Sequence, residues 1–374
     1  MNFDAYRSCK RFVNLDGLRF CCILAVLWHH QIPLNDATRW QIFSRGFVGV
    51  DFFFVISGFL ITTLLLREKS NTGQISLKRF YWRRALRILP PYFLIVTAVT
   101  LYFGVVNGQN AALERAPYYY FFLANFLEGD TAFLSPTWSL SVEEQYYLLW
   151  PLMLIAVAAP RIPWLVLVLI IVNVVISSNF LPALLEGEIN VGQLRFNRTS
   201  AMFAPILIGS LAALTMHERR GYQGLAKTLG NPWALLVLVI SLVVLLQWAP
   251  QSLAGLPNLV MHLIMAAFLV SVVIQEKNPL SSMLQNPLIV RIGAVSYGIY
   301  LYHMVARHVV NKGLNTVGIE SEWAALVLYA VLSYVMAEIS FRIWESFFLR
   351  FKNDDPRVLF RSWLLSPQKL LIRK

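Results

Sequence analysis

The sequence predicts an all-α fold, a polytopic transmembrane helix bundle of about ten spans with both termini cytoplasmic. Of the 374 residues, 57% are hydrophobic and only 14% are charged, and the mean hydropathy is +0.58. In a soluble domain about a quarter of the residues are charged. The excess of apolar residues therefore indicates that much of this chain lies in a lipid bilayer. The apolar residues are gathered in repeated runs of about 17–22 residues, each long enough to cross a hydrocarbon core.

The apolar runs define the order of the predicted spans. They cover 17–35, 46–66, 91–107, 138–159, 163–180, 198–215, 232–249, 257–274, 292–311 and 323–345. This topology puts 25 of the 32 Lys and Arg residues on the side of the termini and 7 opposite. The positive-inside rule therefore places the termini in the cytoplasm. We expect an integral membrane domain over 1–345 and a basic cytoplasmic tail over 346–374.

The net charge of +12 follows from this topology. It indicates contact with anionic membrane lipids, and no nucleic-acid partner is predicted. The first apolar run has a basic flank but no small-residue cleavage site, so we interpret it as a retained first span.

Two segments between the spans have patterns of their own. In the basic link 67–91, the stretch "SLKRFYWRRALRIL" alternates apolar and basic residues at helical spacing, which predicts an interfacial amphipathic helix. The aromatic stretch 116–137 is too broken for a span, and we expect a re-entrant or interfacial segment on the periplasmic side.

The first span, within "NLDGLRFCCILAVLWHH", carries ionisable residues at both of its ends. On a helix, Arg19 and His30 differ by only about 20° in direction and lie about 16 Å apart along the axis, whereas His29 points about 80° away. Asp16 precedes Arg19 by three residues, the spacing of a helical ion pair. Each residue alone could be an interfacial anchor, but their alignment favours a functional polar cavity.

The two ends of this face suit different chemistry. A guanidinium at the cytoplasmic mouth offers paired donors to a phosphorylated ligand, and a deeper imidazole can act as a general base toward a hydroxyl. Acyl-coenzyme A, with an anionic head and a long thin arm, matches both ends. Whether His30 acts as a base or carries the acyl group stays open.

Five motifs in order resemble the acyltransferase-3 family of integral membrane O-acyltransferases, which modify cell-surface glycans. They are "LDGLR" followed by His30, "FFFVISGFLIT" at 52–62, "RRALRILP" at 83–90, "WSLSVEEQYYLLWP" at 138–151 and "SYGIYLYH" at 296–303. The resemblance implies transfer of an acyl group, most often acetyl, from cytoplasmic acyl-CoA to a carbohydrate hydroxyl at or beyond the outer face.

The resemblance also implies partners and a location. We expect acetyl-CoA as the acyl donor, a glycan or lipid-linked saccharide as the acceptor, and the bacterial inner (plasma) membrane as the site. Some members of the family carry an extracytoplasmic esterase-like domain. Because only about 29 residues follow the last predicted span, we expect the membrane unit to handle the acceptor alone.

The second span and the basic link 67–91 supply further candidates for donor binding. Ser57 and its neighbouring glycine could serve close helix packing or line a tunnel for acyl-CoA, and Asp51 is expected to face the cavity or pair with a basic residue. The trio Arg83, Arg84 and Arg87 could bind anionic lipid, but with the family match it is also a candidate for the CoA phosphates.

Glu143 is the candidate for acceptor binding or for support of His30. A capping box with Ser141 as N-cap and Glu144 at N3 would give Glu144 a structural role but would give none to Glu143. We therefore expect Glu143 at the outer mouth of the fourth span, with Trp138 and Tyr146 beside it.

Other readings stay open. His303 could equally be a core histidine bonded to a tyrosine or a catalytic residue. No metal is predicted, because His29 and His30 are adjacent and no zinc-type spacing accompanies them. The alternative function is a secondary transporter or flippase for a sugar or lipid-linked sugar, although no related halves are visible. A scaffold or receptor would leave the Arg19–His30 alignment unexplained.

Overall fold

A computed structural model of the chain describes residues 1–32, 40–127, 129–177, 189–191, 194–196, 202–250, 253 and 255–354. It confirms the predicted all-α helix bundle. The helices of the first half are α1 (Phe3–Ser8), α2 (Leu15–His30), α3 (Gln41–Ser44), α4 (Val48–Thr72), α5 (Leu77–Thr100), α6 (Asn110–Tyr120), α7 (Thr137–Ala156) and α8 (Ile162–Ser177). Those of the second half are α9 (Ala204–His217), α10 (Arg219–Leu229), α11 (Pro232–Trp248), α12 (Leu256–Ile274), α13 (Ser281–Leu284), α14 (Pro287–Ala294), α15 (Ser296–Thr316), α16 (Glu322–Ser340) and α17 (Ser346–Leu349).

A short hairpin is the only sheet among the described residues. Strands β1 (Ile189–Val191) and β2 (Leu194–Phe196) pair antiparallel, with Ile189 opposite Phe196. Leu194 also forms a bridge to Leu127 in the segment before α7.

Each of the ten predicted spans contains a described helix. By length and apolar composition, five stretches of helix can cross a membrane, and up to seven can if each of two sharply bent helix pairs is one span. The chain is therefore a multi-pass membrane protein, and the total of ten spans stays a prediction. The predicted first span at 33–35, the fifth at 178–180, the sixth at 198–201 and the predicted tail at 355–374 lie outside the described residues.

The boundary predicted between an interfacial helix and the third span is wrong. Helix α5 runs without interruption through Pro90 and Pro91 and continues as a π-helix to Val106. The prolines remove two backbone donors, but the buried stripe from Ile88 through Tyr92, Ile95, Val96 and Val99 keeps its helical spacing across them. Packing of this stripe stabilises a continuous helix at Pro90 and Pro91, where the sequence suggests a helix end.

The aromatic segment 116–137 contains no spanning helix in its described residues, as predicted. Helix α6 has eleven residues, and a 3-10 turn at Ala124–Phe126 follows it. Tyr119 is buried, and its hydroxyl accepts a hydrogen bond of 2.9 Å from the Thr131 backbone. The segment also contacts the bundle, because the Tyr92 hydroxyl of α5 donates to the Tyr119 carbonyl oxygen at 2.8 Å.

Helices α4 and α9 lie with their backbones in close contact. A Cβ atom added at Gly58 would overlap the Ile206 carbonyl oxygen, and one added at Gly209 would overlap the Val55 carbonyl oxygen. Only glycine allows this approach, in which small residues bring two helix backbones together.

Two clusters of buried apolar side chains form the interior. One includes Phe54 and Tyr147 and is built largely on α4, α9 and α12, and the other includes Tyr300 and is built largely on α5, α15 and α16. We call the end of the bundle at which α2 begins the near end, and the end at which α2 finishes the far end. The Met1 ammonium group lies at the near end, where it donates to the Ile274 carbonyl oxygen at 2.7 Å.

Candidate active site

A cavity of about 250 Å³, here called the near cavity, lies at the seam between the two apolar clusters. Its polar and charged lining comes from five helices: Arg19 of α2, Ser57 of α4, Arg84 and Arg87 of α5, Ser139, Glu143 and Tyr147 of α7, and Ser296, Tyr297 and Tyr300 of α15. The rest of the lining is apolar and includes Phe53, Phe54 and Leu60. The structure thus gathers five residues that the sequence nominated from three predicted spans and the basic link 67–91.

Positive charge dominates the near cavity. Arg87 interacts electrostatically with Arg19 and Arg84, so three guanidinium groups repel one another there. The Arg84 guanidinium lies over the Tyr147 ring, 4.4 Å from the ring centroid. Glu143 is the only carboxylate in the described lining. The surplus of cations, in a space with apolar walls, suits a polyanionic ligand with an apolar arm.

Glu143 lies deeper than predicted. Helix α7 begins at Thr137 with Pro136 as N-cap, so the capping box predicted at Ser141 does not form. Ser141 is instead fully buried, and its hydroxyl donates to the Thr137 carbonyl oxygen at 3.1 Å. The earlier start carries Glu143 about 9 Å into the helix, away from the outer mouth.

The contacts of Glu143 are also different from those predicted. The Tyr147 hydroxyl donates to its Oε1 at 2.9 Å, and Ser57 and Arg84 interact with the same carboxylate. The aromatic neighbours expected beside it have other partners, because Trp138 packs against Phe54 and Tyr146 bonds Ser210. Glu143 therefore shares the near cavity with the arginines.

Asp16 holds Arg19 from outside the cavity. One carboxylate oxygen of Asp16 accepts from Arg19 at 3.0 Å and the other from Arg11 at 2.5 Å. The pair forms at the predicted spacing of three residues. Asp16 lies outside the cavity lining, so its contact with the site is through the Arg19 guanidinium.

The three arginines of the trio do not all lie in the near cavity. Arg84 and Arg87 line the near cavity, whereas Arg83 is exposed and lies outside the lining. Ser57 and Gly58 also have different surroundings, because the serine faces the cavity and the glycine faces α9. Asp51 lies away from the cavity lining, with its Oδ2 atom 3.6 Å from Nε2 of the buried His262.

His30 lies outside the near cavity and packs against a second histidine. Its ring centroid is 4.8 Å from that of His303, which is completely buried. The Nδ1 atom of His30 is 2.9 Å from the Val26 carbonyl oxygen, and Nδ1 of His303 is 2.6 Å from the Tyr300 carbonyl oxygen. A carbonyl only accepts, so in each neutral ring the proton is assigned to Nδ1 and the lone pair to Nε2.

The two Nε2 lone pairs are therefore available for chemistry. Nε2 of His303 is buried and makes no hydrogen bond to any described residue. The nearby Tyr329 hydroxyl is also buried and unpartnered among the described residues. An imidazole with a free lone pair can take a proton from a hydroxyl, and a second imidazole beside it can stabilise the resulting charge.

Comparison with known proteins identifies the kind of protein. The family model described as an acyltransferase domain, of the acyltransferase-3 type, matches residues 12–339. The chain belongs to this family. It is a multi-pass membrane protein of the acyltransferase-3 family, and the match runs from α2 to α16.

Among curated proteins, this acyltransferase-3 chain is 25% identical to a peptidoglycan O-acetyltransferase of Listeria monocytogenes over 91% of its own length. It is 26% identical to a Bacillus subtilis protein provisionally named a peptidoglycan O-acetyltransferase, over 89% of its length. It is 27% identical to a Staphylococcus aureus protein provisionally named an O-acetyltransferase, over 91%. The chain covers 56%, 54% and 59% of these relatives, respectively. No solved structure matches the chain.

The acyltransferase-3 chain has functional candidates that its sequence did not indicate. Arg307 interacts electrostatically with both His30 and His303, and its Nε donates to Gln31 Oε1 at 3.1 Å. Arg307 follows His303 by four residues on α15, a spacing that could have placed it on the same helix face. The histidine pair itself joins residues 273 positions apart, which no local pattern predicts. Within the described residues, no group of His, Cys, Asp and Glu could hold a metal ion.

Proposed function

We propose that this chain transfers an acetyl group from acetyl-CoA to a hydroxyl of a cell-surface or lipid-linked glycan, in the plasma (inner) membrane of a bacterium. The observation that carries the proposal is the arrangement along α2 and α15. A cationic cavity lies at the near end, and an imidazole pair lies about 16 Å farther along the same face of α2.

The near cavity is the proposed donor site. Arg19, Arg84 and Arg87 would bind the phosphates of acetyl-CoA and so relieve their mutual repulsion. Asp16 is a positioning residue that fixes the Arg19 guanidinium through its ion pair. Ser57 and Tyr297, with the apolar lining, would guide the pantetheine arm toward Tyr300, which lies at the histidine end of the cavity.

His30 is the proposed general base. The acceptor hydroxyl gives its proton to His30 Nε2 while its oxygen forms a bond to the thioester carbonyl carbon. The carbon–sulfur bond then breaks, and the CoA thiolate leaves and takes the proton from the imidazolium. His303 is a positioning residue that stabilises the imidazolium from 4.8 Å, measured between ring centroids.

Glu143 is proposed to act on the donor side. Its carboxylate balances part of the arginine charge and accepts from Tyr147 at 2.9 Å. This keeps Arg84 oriented into the cavity when no ligand is bound. The described neighbours of Glu143 are the arginines, Ser57 and Tyr147, which favours this role over the acceptor binding that the sequence suggests.

The test is acetyl transfer by the purified protein in lipid nanodiscs, with radiolabelled acetyl-CoA and a glycan fraction from the native cell surface. We expect His30→Ala to lower the rate about 10²–10⁴-fold, the contribution of a general base. His29→Ala is the matched control, because it removes the same side chain from the neighbouring position, and the His29 ring packs against Phe47, with 5.6 Å between ring centroids, and not against His303. Thermal unfolding of both variants checks that they are folded.

Two results would overturn the proposal. Wild-type rates in the His30→Ala variant would remove the histidine from the chemistry. Surface glycans with the same acetyl content with and without the gene, as read by mass spectrometry, would remove the reaction itself.

A further inference from the structure

A second cavity, here called the far cavity, opens at the far end of the bundle. Its volume is about 570 Å³, and Phe133 of the segment before α7 forms part of its wall. The rest of the lining follows the C-terminal half of α15 and includes Arg307, His308, Asn311, Lys312 and Asn315.

The far cavity is electropositive. Its described lining contains Arg307 and Lys312 but no carboxylate. The nearby Glu322 accepts from Gln31 Nε2 at 2.9 Å, while Arg307 donates to the neutral Gln31 Oε1. Under the topology proposed above this end faces outward, where the positive-inside rule gives Lys and Arg no role. Their charge therefore needs another explanation.

The wall of the far cavity has the features of a saccharide site. Phe133 has a φ angle of +71°, a conformation that residues with a side chain rarely adopt and that concentrates at functional sites. Its ring lies 5.1 Å from the His308 ring and 5.3 Å from the Phe103 ring. The aromatic ring can contact the apolar face of a sugar, and the amides of Asn311 and Asn315 beside it can form hydrogen bonds to the sugar hydroxyls.

The far cavity also adjoins the histidine pair. Arg307 lines it and interacts electrostatically with both His30 and His303. Gln31, which binds Arg307, directly follows His30. A ligand in this cavity would therefore lie next to the proposed base.

We propose that the far cavity binds an anionic group, a carboxylate or phosphate, on the saccharide acceptor. The inference rests on the proposed function and adds the acceptor's chemical class to it. Lys312 and Arg307 would contact the anion, Phe133 would contact the face of a sugar ring, and the hydroxyl to be acylated would point toward His30. Headgroup phosphates of outer-leaflet lipids share this chemistry, but they do not account for the aromatic wall with its amides.

The test measures binding, without any acyl transfer, to the full chain in phosphatidylcholine nanodiscs. The probes are trigalacturonate, its uncharged methyl ester and phosphatidylglycerol placed in the nanodisc. We expect trigalacturonate to bind about tenfold more tightly than its ester, as a charge-assisted contact allows. Lys312→Gln should abolish this preference and Lys312→Glu should reverse it. Lys227→Gln, the same change on an exposed lysine of α10, should leave it intact.

Equal binding of the acid and its ester by the wild-type chain would overturn the inference. A preference that survives both Lys312 variants would do the same. Loss of trigalacturonate binding when phosphatidylglycerol is present would assign the cavity to lipid headgroups and also overturn it. Because no reaction is needed, a chain that binds the acid through Lys312 but transfers no acetyl would refute the proposed function and leave this inference standing.

Discussion

The division of the arginine trio gives a sharp prediction about donor binding. Arg84 and Arg87 line the near cavity, whereas their neighbour Arg83 is exposed outside it. We expect Arg84→Ala and Arg87→Ala to weaken CoA binding and Arg83→Ala to leave it almost unchanged. All three changes remove the same side chain from one short stretch of α5, so Arg83 is the matched control.

The magnitude follows from the contacts that would be lost. A hydrogen bond between charged groups contributes about 1.5–3 kcal/mol. Losing one therefore weakens binding about tenfold to 150-fold. Removing Arg87 also relieves its repulsion with Arg19 and Arg84, which places the expected loss near the lower end of this range. An exposed arginine is screened by salt, so Arg83→Ala should change affinity by less than about twofold.

The assay is isothermal titration of CoA into each variant in nanodiscs, at low and at high salt. Thermal unfolding without ligand shows whether each variant is folded. Equal loss of affinity in the Arg83→Ala and Arg87→Ala variants would refute the reasoning, because it would mean that the trio acts through its general charge. Unchanged affinity in both cavity variants would place the CoA phosphates elsewhere.

Three further predictions concern single residues. Arg19→Lys keeps the charge but loses the paired donors, so the apparent KM for acetyl-CoA should rise about tenfold with the acceptor KM unchanged; equal rises in both would contradict this. His303→Asn should lower kcat about tenfold to a hundredfold at constant KM, because the imidazolium of His30 loses its stabilising neighbour. An unchanged kcat would show that His303 has no part in the site. Gly58→Ala should lower the unfolding temperature, since its Cβ would overlap the Ile206 carbonyl oxygen, whereas Gly224→Ala, with open space around it, should not.

The sequence was sufficient for features that depend on one helix. Hydropathy runs predicted the helical bundle, and the spacing along α2 predicted the Asp16–Arg19 pair, which forms at 3.0 Å. The motif residue Ser57 was nominated from the second span and Arg84 and Arg87 from the basic link, and the structure brings them to one cavity. Periodicity and composition carry this information because they act within a single element.

Features that depend on contacts between helices could not be predicted. The capping box that Ser141 and Glu144 fit would begin α7 five residues too late, because the N-cap is Pro136 and the first helical residue is Thr137. The depth of Glu143 was therefore also wrong. The pairing of His30 with His303 joins two helices far apart in sequence, and the composition of neither helix indicates it.

The central claim is that an acyl group passes from a donor at the near end to an acceptor at the far end, and sidedness tests it most directly. In sealed inside-out vesicles, the cytoplasmic face is exposed to added acetyl-CoA. We predict that such vesicles acetylate glycan trapped in their lumen and that right-side-out vesicles ignore external acetyl-CoA. Equal use of external donor by both orientations, or product found only on the donor side, would contradict transfer through the bundle.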